Sequence, residues 1–263
     1  MPELPDVELF RRYFEATSLQ QPIEHVHVET PEMLEETSPQ GLGRALKGHR
    51  FIETDRHGKY LFAGFDSDSW LLLHFGMTGY LSYTEDSKGA PEHAALQIDF
   101  SNRACLTYVS KRKLGHIRLL DDVQSYIEQR GLGPDVASLT EKQFRKVLHA
   151  HRGMVKPFLM NQEAMAGLGN VYTDEVLYHA GIHPKARLVD LSEAQIGKLH
   201  CAIGKVIKGA INAGANISRM PDSWLLPHRE QGKSCPRCGG GIQSIHAAGR
   251  TAYYCPNCQP EPA

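Results

Sequence analysis

The sequence predicts a multidomain α+β protein, with a strand-rich first half, a helical second half and a small cysteine-bearing end. Three observations carry this. Between residues 22 and 120, short β-prone runs alternate with turn residues. After Gly131-Leu132-Gly133-Pro134-Asp135 the apolar spacing becomes helical. Near the end, two Cys-x2-Cys pairs stand sixteen residues apart.

The elements follow in order. Val7, Leu9, Phe10, Tyr13 and Phe14 lie near helical spacing and predict an amphipathic helix over 5–18. Ile23–Val28, Phe51–Thr54, Tyr60–Phe65, Trp70–His74, Ala95–Phe100, Ala104–Val109 and His116–Leu120 read as strands. So many short strands argue for a sandwich or a barrel. Asp66-Ser67-Asp68-Ser69 and Ser101-Asn102 read as turns. Helices are expected over 138–150, 154–165, 170–180 and 192–213, with Ser192 as an N-cap. Residues 214–234 carry Pro221 and Pro227 and read as irregular. The expected domains are 1–130, 135–228 and 229–263.

At 263 residues and 41% hydrophobic content the chain can build real cores. No apolar run is long enough to span a membrane, and no basic-then-apolar leader opens the sequence, so a cytoplasmic protein is expected. The net charge of −1 excludes a polycation, so any nucleic-acid footprint must be local. Basic residues do cluster, at Arg44–Lys59, Lys111-Arg112-Lys113 and Lys142–Arg152.

Cys235, Cys238, Cys255 and Cys258 have the spacing of a tetrahedral four-cysteine zinc site. Zinc would replace the core that thirty residues cannot build. Four cysteines leave no open position, so the metal is expected to be structural. Between the pairs, glycines allow a hairpin with Arg250 at its tip. Cys105 and Cys201 are expected to be buried apolar fillers.

The opening Met1-Pro2-Glu3-Leu4-Pro5-Asp6-Val7-Glu8 is chemically distinctive. With Met1 removed, Pro2 would carry a free secondary amine. An α-amine titrates near ~8, against ~10.4 for lysine, so a neutral nucleophilic fraction exists without burial. Such an amine can attack a sugar C1′ and form an iminium. Glu3 stands next to it as a proton carrier.

These features occur in a fixed order. Pro2-Glu3-Leu4-Pro5 is followed by Gly58-Lys59-Tyr60-Leu61, His74-Phe75-Gly76-Met77-Thr78-Gly79 and Arg112-Lys113-Leu114-Gly115. Lys156-Pro157-Phe158-Leu159, Gly167-Leu168-Gly169-Asn170-Val171-Tyr172, Ala180-Gly181-Ile182-His183-Pro184 and Gly249-Arg250 come next. Over nearly its whole length the chain resembles the formamidopyrimidine-DNA glycosylase/endonuclease VIII family of base-excision repair enzymes. Leu4 resembles the formamidopyrimidine branch.

The resemblance implies an N-terminal β-sandwich with its N-terminal helix, a helix–two-turns–helix domain, a zinc-finger hairpin, and duplex DNA bound in a cleft between two lobes. It implies a monomeric, nucleoid-associated glycosylase and abasic-site lyase whose partner is double-stranded DNA with damaged bases or abasic sites. The target base must leave the stack to be reached. Pro2 would attack C1′ and Glu3 would protonate the sugar oxygen. Lys59 matches a position that assists β-elimination, and Arg250 one that grips phosphate and assists δ-elimination. His74, His93, Lys156 and Asn170 match DNA-contacting positions, and the turn at Asn170 would offer helix N–H groups to phosphate. Met77, Arg112 and Leu114 match the trio that fills the space of the flipped nucleotide.

Two departures bear on substrate. Leu114 stands where the branch usually has Phe. The 214–234 segment is shorter than the loop that folds over everted 8-oxoguanine, and Asp6 replaces the commoner Glu. Ring-opened or hydantoin purines are therefore the expected substrates. The alternatives are an endonuclease VIII-like enzyme for oxidised pyrimidines and a non-catalytic damaged-DNA-binding relative.

Overall fold

The computed structural model describes residues 1–86, 91–247 and 249–261. The chain forms two compact units, one of Met1–Pro2 and Asp6–Arg130, the other of Glu3–Pro5 and Gly131–Ala263. Glu3–Pro5 thus pack with the second unit although they open the chain. Leu4 is the reason: it is fully buried in the helical unit's core, and its N–H donates to the Gly167 carbonyl at 3.1 Å.

The first unit takes in α1 (Leu4–Ser18) from Asp6 onward and continues with β1 (Ile23–Val28), β2 (Leu34–Glu35) and α2 (Pro39–Leu46). β3 (Phe51–His57), β4 (Tyr60–Phe65), β5 (Ser69–His74), β6 (Tyr80–Thr84), β7 (Ala94–Phe100), β8 (Cys105–Val109), β9 (His116–Leu120) and α3 (Val123–Gln129) follow. The strands form two sheets, ordered β1-β7-β8-β6 and β2-β9-β5-β4-β3. Leu61, Leu71, Leu73 and Ile117 of one sheet share a core with Leu96, Ile98 and Leu106 of the other and with Val7 and Phe14 of α1. Leu71-Leu72-Leu73 is a continuous apolar run because the five-stranded sheet is covered on both faces. Its second face packs Phe62, Leu72 and Leu120 against Tyr126 of α3.

The expected strands are present; β2, β6, α2 and α3 were not expected. Gly41 and Gly43 hide α2, since glycine is a poor helix former. Its start is nonetheless well specified, by Pro39 in the first turn and a Ser38 side chain that accepts from Gly41 N–H.

The second unit holds α4 (Glu141–His149), α5 (Val155–Met160), α6 (Asn170–Ala180), α7 (Glu193–Asn212) and the hairpin β10 (Gln243–Ala247) and β11 (Arg250–Tyr254). Thr140 with Gln143, and Ser192 with Gln195, form capping boxes on α4 and α7. α5 stops five residues short of expectation because the Asn161 side chain accepts from Glu163 N–H and turns the chain. Cys105 is buried as expected, but Cys201 is exposed on α7. No helix among the described residues is long and apolar enough to cross a membrane.

Residues 214–234 are more ordered than their composition implies. Short 3-10 turns form at Ile217–Arg219 and Leu226–His228. Trp224 packs so closely on α7 that a Cβ at Gly209 would lie 2.4 Å from its ring. The buried Glu175 carboxylate accepts from Leu225 N–H at 3.1 Å and Leu226 N–H at 2.7 Å.

Candidate active site and nucleic-acid interface

Helix α6 is the element on which the chemistry of the second unit is mounted. Helix N-termini leave orphan N–H groups, and Gly169 at the N-cap has no side chain to take them. Glu3 takes them instead. Its carboxylate accepts from Gly169 N–H at 2.8 Å, Val171 N–H at 2.8 Å and Tyr172 N–H at 3.2 Å. The side chain is fully buried there, a negative group at the positive end of the helix.

The glycines of Gly167-Leu168-Gly169 make this approach possible. A Cβ at Gly169 would lie 2.4 Å from Glu3 Cδ. One at Gly167 would lie 2.5 Å from Leu4 Cδ1, and its φ of +130° disfavours any side chain. Three amides of this turn, those of Gly169, Val171 and Tyr172, are thus taken by Glu3. The Asn170 side chain remains, with Oδ1 buried and unpartnered among the described residues.

Lys156, which matches a DNA-contacting position, has a fully buried side chain. Its Nζ donates to Asp174 Oδ1 at 2.5 Å and to the Thr251 carbonyl at 3.4 Å. Burial lowers the ammonium below the ordinary lysine range, and Asp174 opposes that shift. Asp174, Glu175 and Arg229 were not anticipated from the sequence. The available signal was a pair of adjacent acids among Val171, Val176, Leu177 and the other apolar residues of the helix, which must find partners when buried.

The four cysteines meet in the second unit, their sulfurs all within 4.8 Å of one another. Cys235 Sγ and Cys258 Sγ are 3.9 Å apart, and Cys238 Sγ and Cys255 Sγ 3.5 Å. A tetrahedral ion with Zn–S near ~2.3 Å places its sulfurs ~3.8 Å apart, so the donor set fits one structural zinc. Cys235 also lies 3.4 Å from the Tyr178 hydroxyl of α6. Arg250 is exposed as the first residue of β11, opposite Ala247.

In the first unit, Pro2 is half-buried. Lys59 occupies a two-residue hairpin between β3 and β4, with Gly58 at φ +56° in the first central position, where tight hairpins need it. His74 ends β5 and stacks on His116 at 4.5 Å. Burial first, then the His116 ring and the Lys59 charge, pushes the His74 pKa down to about 3. His74 is therefore a neutral ring at neutral pH, not a cation. His93 has a left-handed backbone, φ +66°, and its ring lies 3.2 Å from Glu92.

Two glycine-rich loops of this unit are pressed together. A Cβ at Gly76 would lie 2.5 Å from Gly115 N, and one at Gly115 would lie 2.2 Å from the His74 carbonyl. The Arg112 N–H donates to Thr78 Oγ1 at 3.1 Å. This packing gathers the loops that carry Met77, Arg112 and Leu114, all three exposed. Leu114 is 52% exposed.

A buried carboxylate close to the N-terminus on a glycine-opened helix, and a four-cysteine zinc site in the same unit, fit the class of zinc-finger base-excision enzymes that the resemblance implies. The comparisons make it particular. The formamidopyrimidine-DNA glycosylase N-terminal domain matches residues 1–117, the H2TH domain of the same enzymes residues 131–222, and a zinc finger found in FPG and IleRS residues 232–260. The formamidopyrimidine-DNA glycosylase of Lactococcus lactis subsp. lactis is 34% identical over 273 residues, 98% of this chain and 99% of that one. The protein of that name from Pelotomaculum thermopropionicum is 31% identical over 274 residues, with 98% and 99% covered. The Lactococcus lactis enzyme has been solved with DNA containing N7-benzyl-Fapy-dG and with DNA containing an abasic site. Each structure has a TM-score of 0.90 and 32% identity, and covers 99% of this chain and 100% of its own. The chain belongs to the formamidopyrimidine-DNA glycosylase family and is an enzyme of that class.

Proposed function

We propose that the chain excises oxidised bases from duplex DNA and then cleaves the strand at the resulting abasic site. The observation that carries this is the Glu3 carboxylate, buried and held by three backbone amides immediately after Pro2. A structural carboxylate needs no such neighbour; a proton carrier beside an iminium does. The similarity to enzymes solved on a formamidopyrimidine lesion and on an abasic site supports the same reading.

In this reading Met1 is removed and the Pro2 nitrogen bonds to C1′ as the C1′–base bond breaks. Glu3 takes the proton that the Pro2 nitrogen loses on bonding and passes it to the sugar ring oxygen, the ring opens, and an iminium forms. The iminium acidifies C2′–H; loss of that proton expels the 3′ phosphate in β-elimination, and a second elimination expels the 5′ phosphate. Lys59 assists the first elimination and Arg250 the second. His74, His93 and Asn170 contact the DNA backbone as neutral or polar groups. Met77, Arg112 and Leu114 fill the vacated stack. Lys156 is the further DNA-contacting position, its buried ammonium paired with Asp174 in the free protein. The working partition is a sandwich to residue 130, helices over 135–228 and a finger over 229–263. Nucleoid association follows from DNA affinity.

Ring-opened or hydantoin purines are the favoured substrates. Trp224, Leu225 and Leu226 fasten the 214–234 segment to α6 and α7, which leaves only a short stretch near Ile217 to reach an everted base. A non-planar lesion stacks poorly and flips at lower cost than intact 8-oxoguanine.

Borohydride trapping on an abasic duplex tests the chemistry. Wild type should form a covalent adduct, and Pro2→Gly should form at least ~10-fold less, since the secondary amine is the activated nucleophile. Equal trapping by protein that retains Met1 would overturn the N-terminal mechanism. Single-turnover rates on matched duplexes test the substrate. Release of 8-oxoguanine opposite cytosine as fast as the ring-opened lesions would overturn the preference.

A further inference from the structure

One turn beyond the amides that hold Glu3, α6 carries a second fully buried carboxylate, Asp174. Its Oδ1 accepts from Lys156 Nζ at 2.5 Å. Its Oδ2 accepts from Arg229 Nε at 2.9 Å and from the Tyr253 backbone N–H at 3.1 Å, with Arg229 Nη2 at 2.8 Å. Lys156 Nζ also reaches the Thr251 carbonyl. Two bonds of this node therefore end on the backbone of β11, at Thr251 and Tyr253. Arg250 begins that strand.

A buried ion cluster is a poor stabilising device, because desolvation offsets most of its attraction. What it does supply is a fixed geometry: neither carboxylate oxygen can move without leaving a buried cation or an N–H group unpaired. The hairpin has no comparable need for it, since zinc already folds the finger. α6 is a single rigid helix, so its first turn fixes Glu3 and its second turn fixes β11.

We infer that Asp174 is a positioning residue that sets the Arg250 strand in register with Glu3, with Lys156 and Arg229 as its clamps. The inference rests on the roles given above to Glu3 and Arg250. It assigns Lys156 an internal function beside a DNA contact. It also separates two steps: base release needs Glu3, while the second elimination needs Arg250 and hence Asp174.

The test is Asp174→Asn, measured beside Arg250→Gln and the double variant. Asparagine keeps the shape but replaces one accepting oxygen with a donor. The Tyr253 amide should exchange with solvent at least ~10-fold faster with one zinc per chain retained, since opening is local. δ-Elimination should slow ~10-fold and base release less than ~3-fold, and Asp174→Asn should add nothing in the Arg250→Gln background. Unchanged Tyr253 exchange, equal losses in both steps, or losses that multiply with Arg250→Gln would each overturn the inference. If Asp174→Asn does not fold, Lys156→Met is measured instead with the two elimination and release rates as the readouts, since it removes the Thr251 contact while leaving Arg229 and Tyr253 on the carboxylate. Failure of the wild type to form a trapped adduct would instead count against the proposed function, and the exchange measurement would still decide the register.

Discussion

Glu3 and the trio Met77, Arg112 and Leu114 are both expected at damaged DNA, but the protein treats them in opposite ways. Glu3 is buried, and three backbone amides fix its carboxylate. The trio stands on two loops whose backbones are locked by Gly76 and Gly115 while the side chains remain exposed. The difference follows from what each must do. A group that moves protons has to be within a fraction of an ångström of its place before the substrate arrives. A group that fills a hole in a base stack adapts to what it finds, so a rigid loop with free side chains suffices. Changes near Glu3 should therefore appear in kcat, and changes in the trio in KM and lesion preference.

The largest expected effect breaks the support of the chemistry from behind. Cys238→Ser removes one of four zinc ligands, and metal binding is the folding energy of such a finger. Zinc content should fall from one per chain. Binding and strand cleavage should then fall together by ~100-fold or more, since the arginine-bearing strand loses its place. Full activity in verified zinc-free protein would contradict this. Next comes Gly169→Ala. Its Cβ would lie 2.4 Å from Glu3 Cδ, so the carboxylate must move off the helix. A displacement of this kind can cost ~100-fold in the rate of base release. Single-turnover kinetics should show that loss with KM nearly constant, and calorimetry a stability loss of ~1–3 kcal/mol from overpacking. A normal rate would mean that Glu3 need not sit where the amides hold it.

Much of this was legible in the sequence. The strand runs, the four-cysteine spacing and the capping residue Ser192 each depend on local chemistry that a linear reading sees. What escaped depends on partners distant in the chain. Asp174 and Arg229 are 55 residues apart, and Lys156 and Thr251 are 95 apart. Nothing in their own neighbourhoods states that they meet. For the same reason the burial of Lys156 was not visible in the sequence, since the carboxylate that permits it lies on another helix. β6 was missed because Tyr80–Thr84 is half exposed and shows no clean alternation. The segment at 214–234 read as irregular because its anchors, Gly209 and Glu175, lie outside it.

Glu8 sharpens the comparison, because it is a second sequestered carboxylate on the same N-terminal stretch and is held by charge. Arg11 and Arg12 hydrogen-bond to it and Arg56 lies 3.3 Å away. Burial alone would raise its pKa, but the guanidinium partners outweigh that and bring it from 4.5 to about 2. A depressed carboxylate contributes stability above its unfolded pKa and loses it as pH falls through the folded one. Glu8→Gln should therefore cost ~2 kcal/mol at pH 7, discounted for partial solvent screening. The difference from wild type should shrink between pH 4.5 and about 2. Base release should change little. Urea melts across that range check the sign; a gap that widens on acidification would show that the arginines do not hold the charge.

The smallest effect concerns the reading side. Leu114 is exposed, so Leu114→Phe removes no packing and should change stability by less than ~0.5 kcal/mol. Phenylalanine stacks on a base better than leucine, and stacking on an aromatic ring is worth ~1–3 kcal/mol per base at most. Only part of that is available here, because leucine already wedges the step and the larger ring must settle beside Met77. A fall in KM of ~2–5-fold on lesion duplexes is expected, with kcat unchanged, since the wedge acts on the bound DNA and not on the reacting carbon. The gain should be larger for 8-oxoguanine, which stays stacked and needs more help to leave, than for a ring-opened lesion that is already loosened. Steady-state kinetics on the two duplexes decide the point. A change in kcat equal on both would place Leu114 with the chemistry, on the Glu3 side of the comparison.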